Sequence, residues 1–438
     1  MMGLDRLEIG IAGVVVALIL IAMRVQIGAV LGIVAFVGIA MITSMKAAWG
    51  IVTALPHNFV SDWSLSAVPM FLLMGYIAAR SGLTNDIFAS ARILIGRVPG
   101  GLASSTVVAS AIFASASGSS VATAAAFSRI AVPEMLKAGY APSLATGAVA
   151  ASGTLGSLIP PSVLMILFGI FTDTSIGGLF VAGVIPGILS AVAYIAMITI
   201  RAWRTPSLAP RETATFTRAE RMAAFRDIWP LPVLILGVLG GMFAGLFSPT
   251  EGGAIGAGLA ALIALARGAL NREAIKQALI ETAVGTSTIF IIAIGASMFA
   301  AFMGLSTLPN SLANLMLSYV SSPVAVIACL AVLFVILGMF VDGISLLLLT
   351  VPIILPVLTN LGIDMIWFGI ITIKLLEIGL ITPPVGMNVY VIKSALGRTV
   401  SLAEIFKGAF WFIAMDLITL SLLIAFPALS LFLPSLMN

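Results

Sequence analysis

Three stretches of this 438-residue sequence place oxygen-bearing side chains or helix-breaking residues inside otherwise apolar surroundings. The first is Ser115-Ala-Ser-Gly-Ser-Ser-Val-Ala-Thr123, where Ser117, Ser119, Ser120 and Thr123 crowd around Gly118. Hydroxyls and the carbonyls of a bent backbone are the hard ligands that alkali and alkaline-earth cations prefer. Small residues at this spacing also serve close helix packing in membranes, and the run alone admits both uses. The second is Gly153-Thr-Leu-Gly-Ser-Leu-Ile-Pro-Pro-Ser162. Paired prolines remove two amide donors and leave carbonyls just upstream without their helical partners. The third, Glu377-Ile-Gly-Leu-Ile-Thr-Pro-Pro-Val-Gly-Met-Asn388, repeats that break.

Ionisable groups inside apolar spans are costly and are functional candidates by default. Asp342, in Gly338-Met-Phe-Val-Asp-Gly343, is the strongest. Lys374 and Glu377 lie three residues apart, a spacing at which they pair on one helical face. Arg129 reads as an interfacial residue that snorkels toward water. Glu251 follows the turn signal Phe247-Ser-Pro-Thr, where a carboxylate suits a helix N-terminus. Thr217 and Glu220 have the spacing of a capping box, or belong to a plain solvated connector. An intramembrane enzyme built on Asp342 and Glu377 requires a second isolated aspartate in a facing span, and none is recognised. His57 is the only histidine; Cys329, the only cysteine, reads as a packing residue. With no nucleotide-binding Gly-Lys-Ser/Thr motif and no nucleophile elbow, ATP-driven transport and catalysis are disfavoured, no cofactor is expected, and energy must come from an ion gradient or a partner.

The elements that carry these residues must be membrane helices. The chain is 61% hydrophobic and 9% charged, with a mean hydropathy of +1.21, against roughly 45–50% and 25% in soluble domains. Apolar runs long enough for a ~30 Å hydrocarbon core recur roughly 10–12 times. Runs such as Ile9 to Met23 and Leu231 to Leu246 lack the alternation of barrel strands, so the fold class is all-α and polytopic. The net charge of +4 is spread over loops and makes no case for nucleic acid. Arg24 follows the first run, and Arg201 to Asp227 holds six arginines. The positive-inside rule therefore predicts an outside N-terminus and a cytoplasmic connector. The first run reads as a span and not as a removable leader.

That connector, 201–228, divides the chain into halves 1–200 and 229–438. A shift of 223 positions superimposes Pro133 on Pro356, Gly139 on Gly362, Gly156 on Gly379 and Pro160-Pro161 on Pro383-Pro384 without a gap. The same shift sets Ser119 against Asp342. The broken segments are 115–123 and 153–162 in the first half, and 338–345 and 377–388 in the second. Duplicated halves with Gly/Pro-interrupted segments at matching places point to a secondary transporter and its binding site. Broken helices are tolerated at membrane depth only where protein or a water-filled cavity satisfies the freed peptide groups. An odd number of spans per half makes the repeats inverted.

Gly118-Ser-Ser-Val-Ala-Thr-Ala-Ala, Ile130-Ala-Val-Pro-Glu-Met, Gly156-Ser-Leu-Ile-Pro-Pro-Ser, Ser248-Pro-Thr-Glu251 and Gly379-Leu-Ile-Thr-Pro-Pro-Val-Gly-Met-Asn388 together resemble the large membrane subunit (DctM type) of tripartite ATP-independent periplasmic (TRAP) transporters. The resemblance runs from the first span to the last. Ser248 and Gly252 depart from the common Thr-Pro-Thr-Glu followed by alanine or serine, conservatively. It implies a bacterial or archaeal inner-membrane, Na+-coupled importer of organic acids such as C4-dicarboxylates or sialic acid. It further implies elevator-type movement, inverted repeats and re-entrant hairpins that hold Na+ and substrate. Carried over, the hairpin tips are Ser117 to Thr123 and Asp342, Gly343 to Ser345. The breaks then offer carbonyls of Gly156, Ile159 and Pro161 and of Gly379, Thr382 and Pro384, with Met387 and Asn388 beside them. Two partners are implied: a small four-helix membrane subunit (DctQ type) and a periplasmic substrate-binding protein (DctP type). A stand-alone ion-coupled dicarboxylate transporter or antiporter is the alternative, and the substrate itself is not written in this chain.

Overall fold

The structure, a computed structural model, describes residues 5–211, 216–319 and 322–437, and no strand occurs among them. In the first half, α1 (Arg6–Ala22), α2 (Ile27–Ile42), α3 (Met45–Val60), α4 (Ala67–Arg80) and α5 (Leu83–Ile95) precede a hairpin of α6 (Gly101–Ser117) and α7 (Ser120–Lys137). Then come α8 (Pro142–Leu158) and α9 (Val163–Thr172), divided by the first Pro-Pro, and the long α10 (Ile176–Arg204). The second half contains α11 (Arg218–Ile228), α12 (Pro230–Phe243), α13 (Pro249–Ala266), α14 (Arg272–Ser306), α15 (Leu308–Tyr319), the hairpin α16 (Pro323–Gly338) and α17 (Gly343–Asn360), the pair α18 (Met365–Ile381) and α19 (Met387–Leu396), α20 (Leu402–Ala425) and a short α21 (Ala428–Leu431).

Eight helices among the described residues are long and apolar enough to cross a membrane. Their outer faces carry Ile188, Val192, Leu236, Leu262 and Phe410, each more than half exposed, a surface that only lipid or another apolar partner suits. The chain is thus an all-α, multi-pass membrane protein. Cys329 lies on such a face of α16, exposed, and so is not the packing residue its apolar run suggested. Of the connector, residues 212–215 lie outside the described residues.

Helix starts are set by side chains that accept the first free amide protons. Ser248 with Glu251 and Thr217 with Glu220 form the reciprocal capping boxes that their spacing announces. Asn271, Asp364 and Ser401 cap α14, α18 and α20 in the simpler way.

The 223-residue offset recurs in the helix bounds: α7 and α17 begin and end that distance apart, and so do α8 and α18. Packing between the halves is reciprocal too. Helix α2 packs on α14 while their counterparts α13 and α4 pack on each other, and α9 lies on α17 as α19 lies on α7. Such exchanged contacts are what a two-fold relation between the halves would produce. The core lies at α8 and α18, in which every residue from Leu144 to Leu158 and from Trp367 to Ile381 is buried.

Close approach of α8 and α20 depends on glycine. A Cβ on Gly408 would lie 1.8 Å from the Ser143 carbonyl oxygen, and one on Gly147 would lie 2.5 Å from the Gly408 carbonyl carbon. Gly258, on the outer face of α13, has nothing within 4 Å. Gly408→Ala should therefore lower stability by about 1–3 kcal/mol, the scale of overpacking, whereas Gly258→Ala should leave the melting temperature of the detergent-purified protein unchanged or slightly raised. Equal melting of the two variants would show that the helices can move apart without penalty.

Candidate functional site

Each hairpin turns on an N-cap. Gly118, at φ +59°, ends α6 in the left-handed region that favours glycine. Ser119 then opens α7, its Oγ accepting the Ala122 N–H at 3.3 Å. In the second half Asp342 opens α17, with Oδ2 accepting the Ser345 N–H at 3.0 Å. The serine and the aspartate that the offset superimposes thus perform the same local task, so capping alone accounts for an acid at this depth. Behind the first tip, Ser117 Oγ lies 2.9 Å from Thr123 Oγ1, and Thr123 donates to the Ser119 carbonyl at 2.9 Å.

The Pro-Pro breaks lie against these tips. Both Pro160-Pro161 and Pro383-Pro384 are cis. A Cβ on Gly156 would stand 3.0 Å from the Ser119 carbonyl oxygen, and one on Gly118 would stand 3.0 Å from that of Pro161, so tip and break meet backbone to backbone. Ile159 caps the C-terminus of α8 and packs on Gly187. In the second half Gly379 meets Gly338, where a Cβ would fall 2.7 Å from its neighbour's Cα. The Gly379 carbonyl accepts the Thr382 N–H at 3.1 Å, and Thr382 Oγ1 donates to the Ile378 carbonyl at 2.6 Å. Pro384 is exposed. Asn388 is fully buried, and neither Oδ1 nor Nδ2 has a partner among the described residues.

Between the two tips lies a cavity of about 790 Å³, lined by Ser117, Gly118, Ser119 and Ser120 of the first and by Asp342 and Gly343 of the second, together with Glu377 and Met387. Thr123, Gly156, Ile159, Pro161, Gly379, Thr382, Pro384 and Asn388 stand outside this lining. Glu377, only 2% exposed, has both carboxylate oxygens 2.7 Å from Ser120 Oγ, which in turn lies 2.8 Å from Ser157 Oγ. A carboxylate from the second half is thereby held by hydroxyls of the first. Arg129, which is exposed, also lines the cavity.

Lys374 does not pair with Glu377. It turns to α20 and α10, where it forms an ion pair with Asp416 and donates to Ser190 Oγ at 3.0 Å. Tyr194 donates its hydroxyl proton to the same Asp416 oxygen. Residues three apart on a helix share a broad face, but the nearest unsatisfied carboxylate decides the pairing. Asp416 was overlooked, although it is the isolated aspartate in a facing span that sequence reasoning asked for: it interrupts Trp411-Phe-Ile-Ala-Met-Asp416-Leu-Ile. With Lys374 on one of its oxygens it is a structural ion pair, and it stands outside the cavity between the tips.

A family model described as the DctM component of tripartite ATP-independent periplasmic transporters matches residues 14–429. The chain is 34% identical over 376 residues to the C4-dicarboxylate TRAP transporter large permease protein DctM of Pseudomonas aeruginosa, covering 85% of this chain and 86% of that one. It is 32% identical over 381 residues to the sialic acid TRAP transporter large permease protein SiaM of Vibrio cholerae, covering 86% and 87%. Among solved structures, the Alcanivorax borkumensis YdaH transporter superimposes with a TM-score of 0.60 at 18% identity, over 88% of this chain and 90% of that one, a likeness of fold.

Taking one member from a buried ion pair leaves an uncompensated charge, whereas replacing both with apolar residues is often neutral. Lys374→Met and Asp416→Leu should each lower stability by about 3–5 kcal/mol, and the double variant should recover most of the loss. Thermal unfolding of the purified single and double variants measures this. Additive losses in the double variant would refute a mutual pair.

Proposed function

The chain belongs to the DctM family of tripartite ATP-independent periplasmic transporter components, transport proteins and not enzymes, and on that premise we propose that it is the translocation subunit of a sodium-gradient-driven, binding-protein-dependent importer of organic acids. The observation that carries this reading is the cavity shared by the two hairpin tips, since tips from both halves that travel as one body past the remaining helices would carry the site from one side to the other. Carboxylate-bearing substrates are named for the two relatives above, and we extend that class, not either compound, to this chain.

Sodium is written here as cargo. Oxygen ligands are what it requires, and they are present as the tip hydroxyls, the carbonyls at the first Pro-Pro break and the unpartnered amide oxygen of Asn388. Asp342 supplies a carboxylate beside them. An odd number of crossings in the first half would invert the second, and we read the repeats in that way. An inverted pair suits an elevator in which the hairpins and breaks travel together. The apolar outer faces leave room for a small membrane subunit, and the substrate comes from a periplasmic binding protein. In the inner membrane, we read the N-terminus as outside and the arginine-rich connector as cytoplasmic, following the positive-inside rule.

Uptake into proteoliposomes containing this chain, the small subunit and the binding protein should require a sodium gradient and rise with sodium more steeply than a one-ion carrier. Asp342→Asn retains a cap, since asparagine caps as well as aspartate, but removes the charge; it should flatten that dependence. Uptake by the chain alone would favour a stand-alone carrier, and sodium-independent uptake would reject the coupling. For topology, Ser207→Cys in a Cys329→Ala background should react with an impermeant thiol reagent only after the cytoplasmic side is opened; labelling of intact cells from the periplasm would reverse the orientation.

A further inference from the structure

The lining of the cavity holds two arginines. Arg80, on α4, is ion-paired with Glu281 of α14. Arg129, on α7, is exposed and has no hydrogen-bond or ion-pair partner among the described residues. Its placement follows from helix periodicity. Ala122, Ala126, Arg129 and Ile130 all line the cavity, at the i, i+4, i+7 and i+8 positions of one face. The two alanines leave that face open, so it forms a wall running from the Ser119 tip to the mouth. Arg129 stands ten residues beyond Ser119, about 15 Å along the axis at 1.5 Å per residue.

The repeat-related position is built differently. The offset carries Arg129 onto Pro352, which lines a smaller cavity of about 250 Å³ between α9, α14, α15 and α17. Phe171, Ala300, Gly304, Pro309, Asn310, Leu355 and Pro356 complete that lining, and none is charged. Among the described residues, a free cation therefore stands at one of two repeat-related positions and an uncharged residue at the other. Of the acids that line the large cavity, Asp342 caps an amide, Glu377 accepts from Ser120 and Glu281 pairs with Arg80, so none is bonded to Arg129.

We propose that Arg129 is a specificity-determining residue: it attracts and transiently holds the anionic group of the substrate at the mouth of the large cavity, between the deep site and water, on one side of the membrane only. This rests on the reading that the cargo is an organic anion. A single guanidinium in a cleft with low-dielectric walls focuses its field and raises the local concentration of anions, and its planar fork matches a carboxylate. At about 15 Å from the tip it cannot share a small substrate with Ser119, so it serves entry to and release from the site.

The test reads the field without transport. In a Cys329→Ala background, Ala126→Cys places a thiol three residues from Arg129 on the same wall, and Asn310→Cys places one in the opposite cavity. The purified full chain in nanodiscs is treated with sulfonate-bearing and with trimethylammonium-bearing methanethiosulfonates, and the ratio of the two rates is taken at each position. Arg129→Gln should lower the anion-to-cation ratio of the Ala126→Cys chain by about tenfold and leave that of the Asn310→Cys chain unchanged, and Arg129→Lys should restore it. Succinate should slow the sulfonate reagent in the Ala126→Cys chain when Arg129 is present and not in Arg129→Gln. An unchanged ratio in the Ala126→Cys chain, failure of lysine to restore it, or succinate protection that is equal with and without Arg129 overturns the proposal. Failure of reconstituted uptake would instead remove the organic-acid reading while leaving the measured field intact.

Discussion

Within a bilayer a backbone amide or carbonyl has no water to turn to, and the architecture of this chain follows from how it meets that constraint at four breaks. At these breaks backbone meets backbone: Gly118 lies against the Pro161 carbonyl, Gly156 against Ser119, and Gly379 against Gly338. Glycine is needed at these points because a side chain would hold the two backbones apart. Ser119 and Asp342 satisfy the amide groups at the starts of α7 and α17, and the hydroxyl of Thr382 doubles back onto its own helix. Tip and break are thus a single backbone unit in each half, and the cavity is the space left between two such units.

Once the breaks are fixed in this way, the cost of buried polar groups decides where charge can sit. Glu377 can occupy the core of α18 because two serine hydroxyls from α7 and α8 approach it, and Lys374 because Asp416, Tyr194 and Ser190 converge from α20 and α10. These contacts also tie the halves together: α18 belongs to the second, and its partners α7, α8 and α10 belong to the first. A movement that separated α18 from α8 would strip Glu377 of its donors, so the two central helices are expected to move as one body.

Much of this was legible in the sequence because glycine, proline and capping residues act locally. Pro160-Pro161 and Pro383-Pro384 mark the ends of α8 and α18, Ser248 with Glu251 marks the start of α13, and the 223-residue offset read from five Gly/Pro matches recurs in the bounds of α7, α8, α17 and α18. What escaped depends on side chains distant in sequence. The partner of Lys374 lies 42 residues away, and that of Glu377 lies 257 residues away, so spacing on one helix could not reveal either. An arginine in an apolar run usually snorkels, which makes Arg129 look interfacial, and only the open alanine face of α7 directs it toward the cavity. Asp416 needed no structure to be noticed; its isolation in an apolar span was signal enough.

The two halves share a skeleton, and the polar chemistry does not obey the symmetry that the skeleton does. The offset pairs Ser119 with Asp342, but it pairs Ser120 with Gly343, Ser157 with Leu380, Glu377 with Thr154, Lys374 with Ala151 and Asp416 with Ala193. Backbone breaks must be preserved in both copies, because either one left unsatisfied is intolerable in lipid. Side-chain charges carry no such obligation, and a duplicated Glu377 or Lys374 would need its own full set of partners. The matched breaks give the halves a common backbone skeleton, while the unmatched charges make their surroundings chemically unlike. The net direction of any secondary carrier is set by the gradients of its solutes, so unlike side chains in the two halves alter how readily a ligand is taken up and not which way it is carried.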